Sequence, residues 1–191
     1  MDIFEAINTR RSIRKYKPDP VDEKDLKTVL EAALWAPSWA NTQCWRYIIV
    51  RDPDIKARVA DTLQRVQFGD DWLENAAAQA IVQAPVLVVA CAQQGIAGFQ
   101  PDGAPATPRG DWLLFDVALS IQNLCLAARS LGMGTVIVGA FDSQKAGEVL
   151  DVPEGYTVVT MTPLGYPDHT GQPPPRKGLD EIVYKEKYGN I

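Results

Sequence analysis

Five cations stand within eight residues at Arg10–Lys17 (RRSIRKYK), in a chain of 191 residues whose formal charge is −5. A cluster this local does not suit nucleic acid or an anionic membrane, since both need a broad basic surface. The fixed N–H donors of several arginines do suit a small dianion, a phosphate above all. A second basic pair, Arg176 and Lys177, follows three prolines near the other end of the chain. Either the fold brings both groups onto one phosphate or both are solvated surface. Other chemistry has little to work with. The single histidine, His169, sits in PDHTG and reads as a solvated loop residue, which leaves no His-based triad and no His/Cys zinc set. Cys44, Cys91 and Cys125 form no CxxC pair, and an odd number without signal-peptide character points to free thiols in a reducing cytoplasm. Carboxylate neighbours such as Asp70 and Asp71, or Asp22 and Glu23, lie in polar stretches and read as surface charge. There is no GxSxG elbow and no Walker loop. GMGTVIVG (Gly132–Gly139) imitates a dinucleotide-binding loop but follows a helix and enters a strand, the reverse of the required order. What remains suits an enzyme whose phosphorylated cofactor carries the chemistry.

The elements that must position these residues can be read from periodicity. With 46% hydrophobic and 23% charged residues, the chain has the balance of one globular domain spanning residues 1–191. Ile3, Phe4 and Ile7 recur at helical spacing over residues 3–9, so the basic cluster begins at a helix C-terminus, where cations are favoured. Asp22, with Asp25 three residues on, caps a second helix whose stripe is Leu26, Val29, Leu30, Ala33 and Leu34, ending before Pro37. YIIV (47–50) and VLVVAC (86–91) are β-branched runs read as buried strands, with a helix around Ile55, Val59 and Leu63 between them. Residues 93–110 are rich in Gly and Pro without periodicity, a loop long enough to act as a lid. Leu114, Val117, Ala118, Ile121, Leu124, Cys125 and Ala128 mark a long helix suited to a core or an interface, closed by Gly132. Strands follow at 135–138 and 156–164, separated by a short helix near 145–150. No run of about 18 apolar residues marks a membrane span, so the reading is a soluble, cytoplasmic protein.

A polar loop, WAPSWANTQCW (Trp35–Trp45), between the second helix and the first strand makes the pattern specific. Four segments in order resemble the nitroreductase family of FMN-dependent oxidoreductases: RRSIR (10–14), PSWANTQCW (37–45), GMGTVIVGAF (132–141) and PRKGLDEIV (175–183). Each alone is weak; the order is specific. The resemblance implies an α+β fold, a mostly antiparallel central sheet flanked by helices, in an intertwined homodimer. It further implies Arg10, Arg176 and Lys177 as the FMN phosphate clamp, with Arg11 at the ribityl-phosphate end and Ser12 supplying a hydroxyl. Arg14 would face the pyrimidine edge, where a cation stabilises the reduced flavin. Pro37, Ser38, Trp39, Asn41 and Gln43 correspond to the loop that approaches the partner's FMN, and Ile137, Val138 and Gly139 to the strand end along the isoalloxazine, Gly139 N–H facing N5. Cys44 replaces the usual proline of that loop, and Trp39 is bulky where many members carry a small residue.

The implied reaction is ping-pong hydride transfer from NADH or NADPH through flavin N5 to a nitroaromatic, quinone or similar acceptor, with no protein acid or base. Two alternatives stay open. One is a same-fold flavoenzyme of other chemistry, reductive dehalogenation or flavin breakdown. The other is a non-catalytic binder of flavin or another phosphate-bearing ligand.

Overall fold

The computed structural model describes residues 1–169 and 171–190. In chain order the helices are α1 (Ile3–Thr9), α2 (Glu23–Leu34), α3 (Pro53–Ala60), α4 (Ala76–Gln83), α5 (Leu113–Ser130), α6 (Ser143–Val149) and α7 (Leu179–Ile182). The strands are β1 (Trp45–Val50), β2 (Val66–Phe68), β3 (Asp71–Leu73), β4 (Val86–Gln93), β5 (Gly134–Thr135) and β6 (Tyr156–Gly165). Aspartate or asparagine caps most of the helices. Asp2, Asp22, Asp52, Asn75 and Asp142 each accept a backbone N–H of the following first turn. This satisfies donors that the helix itself leaves open. The Asp22 cap bonds Lys24, not Asp25.

The main sheet runs β1-β4-β6-β5 and is antiparallel throughout. β4 lies at its centre, buried along all but its last residue. Alternation along β4 divides the core. Val86, Val88, Ala90 and Ala92 face α2 and α5, while Leu87, Val89 and Cys91 face the α3 and α4 side. Apolar residues on both faces are what a strand covered on both sides requires. β1, read as buried, is an edge strand with only its ends buried, because nothing pairs its outer side. Helix α5 has the length and hydropathy of a membrane span, yet Leu113, Val117, Ile121, Leu124, Cys125 and Ala128 are buried inside the protein.

The strand expected at 135–138 is split, and Pro163 accounts for the split. Gly134 pairs with Gly165, Thr135 with Leu164 and, in the same register, Val138 with Met161. Val138 and Met161 exchange both backbone bonds, at 2.9 and 3.1 Å. Two residues on, the next exchanging pair in an antiparallel ladder would be Val136 with Pro163, and proline has no N–H to give. The Pro163 carbonyl instead accepts the Tyr16 hydroxyl at 3.2 Å. Residues 136 and 137 are thereby freed from a continuous ladder just where the site begins. Three further elements lie beyond the periodicity reading: the β2–β3 hairpin, α4 and the short α7.

Candidate functional site

Residues 10–14 run beside β5 because Ile13 donates its N–H to the Thr135 carbonyl at 2.9 Å and Ser12 bridges Thr135 in parallel fashion. Ile13 is buried, so its neighbours Ser12 and Arg14 point outward. Gly134 permits the approach: a Cβ there would stand 2.6 Å from Ile13 Cγ1. Upstream, Arg129 Nε of α5 donates to Thr9 Oγ1 at 3.0 Å and fixes the end of α1 from which Arg10 departs. Among the described residues neither Arg10 nor Arg14 makes an ion pair. Burial pushes the Cys125 thiol up, opposed by a hydrogen bond from Thr135 and by the Arg10 charge. Burial also raises Tyr16, with Arg14 opposing it. Arg11 is held by the chain itself. Its Nη1 turns back to the carbonyls of Asn8 and Arg10, at 2.8 and 2.7 Å, where the open carbonyls at the end of α1 attract a cation.

Next to this segment, Ile137 is 49% exposed although Val136 and Val138 on either side are each at 3%. Gly139 is exposed, and a Cβ built on it meets nothing within 4 Å. The freed strand end is therefore an open apolar ledge next to the segment of Arg10 and Arg14, which make no ion pair among the described residues.

The second predicted element is a tight loop after α2. Asn41 N–H donates to the Ser38 carbonyl, Thr42 N–H to the Trp39 carbonyl and Gln43 N–H to Ser38 Oγ, at 3.1, 2.8 and 3.0 Å. Ala40, Asn41 and Gln43 all have positive φ, at 42°, 57° and 46°. For residues other than glycine that conformation costs about 1 kcal/mol or more apiece. The loop is held by α5. The Trp39 N–H donates to both oxygens of buried Asp116, at 3.1 and 3.0 Å, and the Cys44 thiol lies 3.9 Å from Oδ2. Trp39 packs on Trp112 with centroids 5.3 Å apart, Trp112 meets Phe115 edge-on at 5.4 Å, and the Arg109 guanidinium sits 5.7 Å over the Trp112 ring. The long 93–110 loop thus ends against the loop at 37–43. Cys44 is fully buried, and burial together with the Asp116 charge pushes its thiol up to about 11, so it is protonated and packs as a small apolar group.

The two halves do not meet within one chain. Asp116 and Arg129, which anchor them, are separated along α5 by about 20 Å at the α-helical rise. The loop enters β1 and residues 10–14 line β5, the opposite edges of the sheet, roughly 14 Å apart at three strand spacings. Arg176 and Lys177 lie on an exposed C-terminal stretch, and among the described residues no hydrogen bond or ion pair joins them to Arg10 or Arg14. His169 is exposed, as its loop setting indicated.

Sequence reasoning missed Asp116. Its signal was available: a lone carboxylate on the stripe of Leu113, Val117 and Ser120, all buried.

Comparison with known proteins gives this geometry a lineage. An NADH dehydrogenase of Thermus thermophilus is 32% identical over 209 residues, covering 96% of this chain and 95% of that one. An iodotyrosine deiodinase of Nematostella vectensis is 24% identical, over 95% of this chain and 74% of its own. A nitroreductase family protein from Clostridium novyi superposes with a TM-score of 0.77 at 28% identity, covering 100% of this chain and 96% of the other. The model of the nitroreductase family matches residues 7–166, which takes in residues 10–14, the loop at 37–43, α5 and the ledge at 137–139. By that match and by these relatives, the chain belongs to the nitroreductase family.

Proposed function

We propose that the protein is an FMN-dependent oxidoreductase using NADH or NADPH, and that it works as a homodimer with a site at each of two interfaces. The observation that carries this reading is the ledge Ile137–Gly139 beside residues 10–14, whose Arg10 and Arg14 have no ion-pair partner among the described residues. An apolar shelf bordered by free cations fits a flavin mononucleotide, a flat ring carrying a phosphate dianion. The chemistry that bound FMN supplies is two-electron transfer at N5, hydride in from the nicotinamide and electrons out to a nitroaromatic, quinone or similar acceptor.

The residues of this chain have binding and polarising roles. Arg10 takes the phosphate, joined by Arg176 and Lys177 if the C-terminal stretch folds over it, and Ser12 adds a hydroxyl. Arg14 lies at the pyrimidine end, where its charge favours electron gain by the ring. Exposed Ile137 would support the ring and Gly139 would leave its N–H open to N5, while Val138, buried and bonded to Met161 through both backbone groups, would hold that strand end in place rather than touch the ring. Arg11 serves the clamp indirectly, by fixing the end of α1. Pro37, Ser38, Trp39, Asn41 and Gln43 close the partner's site, which the separation of the two halves along α5 and across the sheet favours. An apolar groove of about 480 Å³ between α1, α2 and α5 supports the same conclusion. It is lined by Ile3, Ala6, Trp35, Leu126 and Ala127, of which Trp35 is 86% exposed, and Phe4 on α1 is 73% exposed. Covering such a surface with a second copy removes it from water.

The deiodinase relatives favour a second reading, reductive dehalogenation on the same flavin site, for which the aromatic stack of Trp39 on Trp112, just after the 93–110 loop, would select a halogenated phenol. The test begins with the visible spectrum of the purified protein, where a flavin absorbs near ~450 nm. Oxidation of NADH or NADPH is then followed with a quinone, a nitroaromatic and a halophenol in parallel. Turnover of the first two supports the main reading and turnover of the halophenol alone supports the second. A protein that neither binds FMN nor oxidises either nucleotide refutes both. Light scattering tests the dimer: a monomer that holds FMN tightly would overturn it.

A further inference from the structure

The Ser38–Gln43 loop meets the body of the protein at few points, the Gln43 carbonyl accepting from Arg46 Nη1 at 3.1 Å and the Trp39 ring on Trp112 among them, and one of those points is a buried charge. The bonds among Ser38, Trp39, Asn41, Thr42 and Gln43 close the loop on itself, and three positive φ angles show that it is held away from the conformations its residues prefer. Asp116 joins it to α5. Both carboxylate oxygens accept the Trp39 N–H at one end of the loop, and Oδ2 lies against Cys44 at the other. This carboxylate is 1% exposed and makes no ion pair among the described residues. Burial pushes its ionisation up, the Trp39 and Cys44 donors oppose that, and the nearby Asp111 charge adds to it. A buried acid without a cation is a poor way to stabilise a core, and an apolar residue at that point of the α5 stripe would pack with less penalty. What the carboxylate offers, and leucine does not, is an acceptor at a fixed point on a rigid helix.

We propose that Asp116 is the positioning residue of the 37–43 loop. It clamps the Trp39 amide so that the strained segment Ala40–Gln43 keeps one shape, and through Trp39 it sets the stacking on Trp112. That this shape governs cofactor binding rests on the proposed function above. That Asp116 sets the shape does not.

Hydrogen exchange of the full-length protein separates the two statements. Asp116→Leu removes the acceptor and replaces it with a larger apolar group, and the isosteric Asp116→Asn keeps an oxygen for the Trp39 N–H. In Asp116→Leu, peptides covering 37–44 should exchange roughly tenfold faster, the effect of losing one buried charge-assisted bond, while peptides covering 86–93 in β4 stay unchanged. Asp116→Asn should restore protection to near the wild-type rate. Unchanged loop exchange in Asp116→Leu, or equal acceleration in both variants, overturns the proposal. If the leucine variant does not fold, Asp116→Ala gives the same reading. An FMN titration of the same proteins tests the dependent part, with a roughly tenfold loss expected for Asp116→Leu alone. Faster loop exchange with unchanged FMN affinity would leave Asp116 as the latch of the loop and remove the loop from the cofactor site.

Discussion

Gly134 and Gly139 lie five residues apart on the same stretch, and their surroundings demand opposite outcomes from the same substitution. At Gly134 a Cβ would meet Ile13 Cγ1 at 2.6 Å, Cβ at 2.8 Å and Cγ2 at 3.1 Å. Ile13 is 3% exposed, and its Cβ, bonded directly to the backbone, is one of the crowded atoms, so no rotamer change relieves that contact. Gly134→Ala must therefore push residues 10–14 off β5. Overpacking of this kind costs about 1 to 3 kcal/mol, and weakening the Ile13 N–H bond to Thr135 adds about 1 kcal/mol. A loss of roughly 2 to 4 kcal/mol corresponds to a fall in Tm of roughly 5 to 15 °C for a chain of this size. At Gly139 the same methyl group meets no atom within 4 Å and no left-handed φ opposes it, so Gly139→Ala should change stability by no more than about 0.5 kcal/mol. Its cost should fall on the ligand, because the methyl group stands on the ledge proposed for the ring. Urea unfolding and FMN titration of both variants give the comparison. Gly134→Ala within about 0.5 kcal/mol of wild type, or Gly139→Ala as destabilising as Gly134→Ala, would show that the packing of residues 10–14 on β5 has been misread.

Arg10→Ala should weaken FMN by about 1.5 to 3 kcal/mol, the range for hydrogen bonds to a charged group, and leave riboflavin nearly unaffected; equal losses for the two ligands would remove Arg10 from the phosphate. Arg14→Ala, saturated with FMN, should show a midpoint potential lower by roughly 20 to 65 mV, the equivalent of ~1 to 3 kcal/mol of partly screened charge interaction in a two-electron couple. An unchanged or higher potential in a redox titration would move Arg14 away from the ring. Burial raises the Cys91 thiol from its ordinary range to about 11, so the unfolded chain gives up this proton first and stability is lost as pH rises from the ordinary thiol range to about 11. Urea midpoints measured across that window should fall less steeply for Cys91→Ala than for wild type, and parallel slopes would count against the buried, protonated thiol.

How far a sequence discloses such a molecule depends on the range of the interaction that decides each feature. β4 and α5 were readable because runs such as VLVVA and the stripe through Val117, Ile121 and Leu124 carry their own periodicity. The break at residues 136–137 was not, because its cause is Pro163, which registers there only once β6 has paired. Helix α4 (AAAQAIVQ) is short and carries its buried face largely on alanine, at Ala77, Ala80 and Ile81, and the β2–β3 strands are too short to show alternation. Asp116 was overlooked because its meaning depends on Trp39, 77 residues earlier. The site residues were recognised through the order of four motifs, each of them local, but local motifs do not say whether their residues converge. In one chain they do not: the cationic segment and the loop lie on opposite edges of the sheet and near opposite ends of α5. The same distinction governs the helical stripes. Ile3, Phe4 and Ile7 have the spacing of a buried face and are exposed, as are Leu34 and Trp35 at the end of α2. Apolar periodicity states that a surface is to be covered and is silent on what covers it, a neighbouring element or another copy of the chain. On the proposed dimer both puzzles have one answer. The surface left open on α1 and α2 is what a second copy would cover, and the same association would bring a second loop to the first ledge. FMN affinity should therefore rise with protein concentration in step with dimer formation, since each site needs residues from both chains.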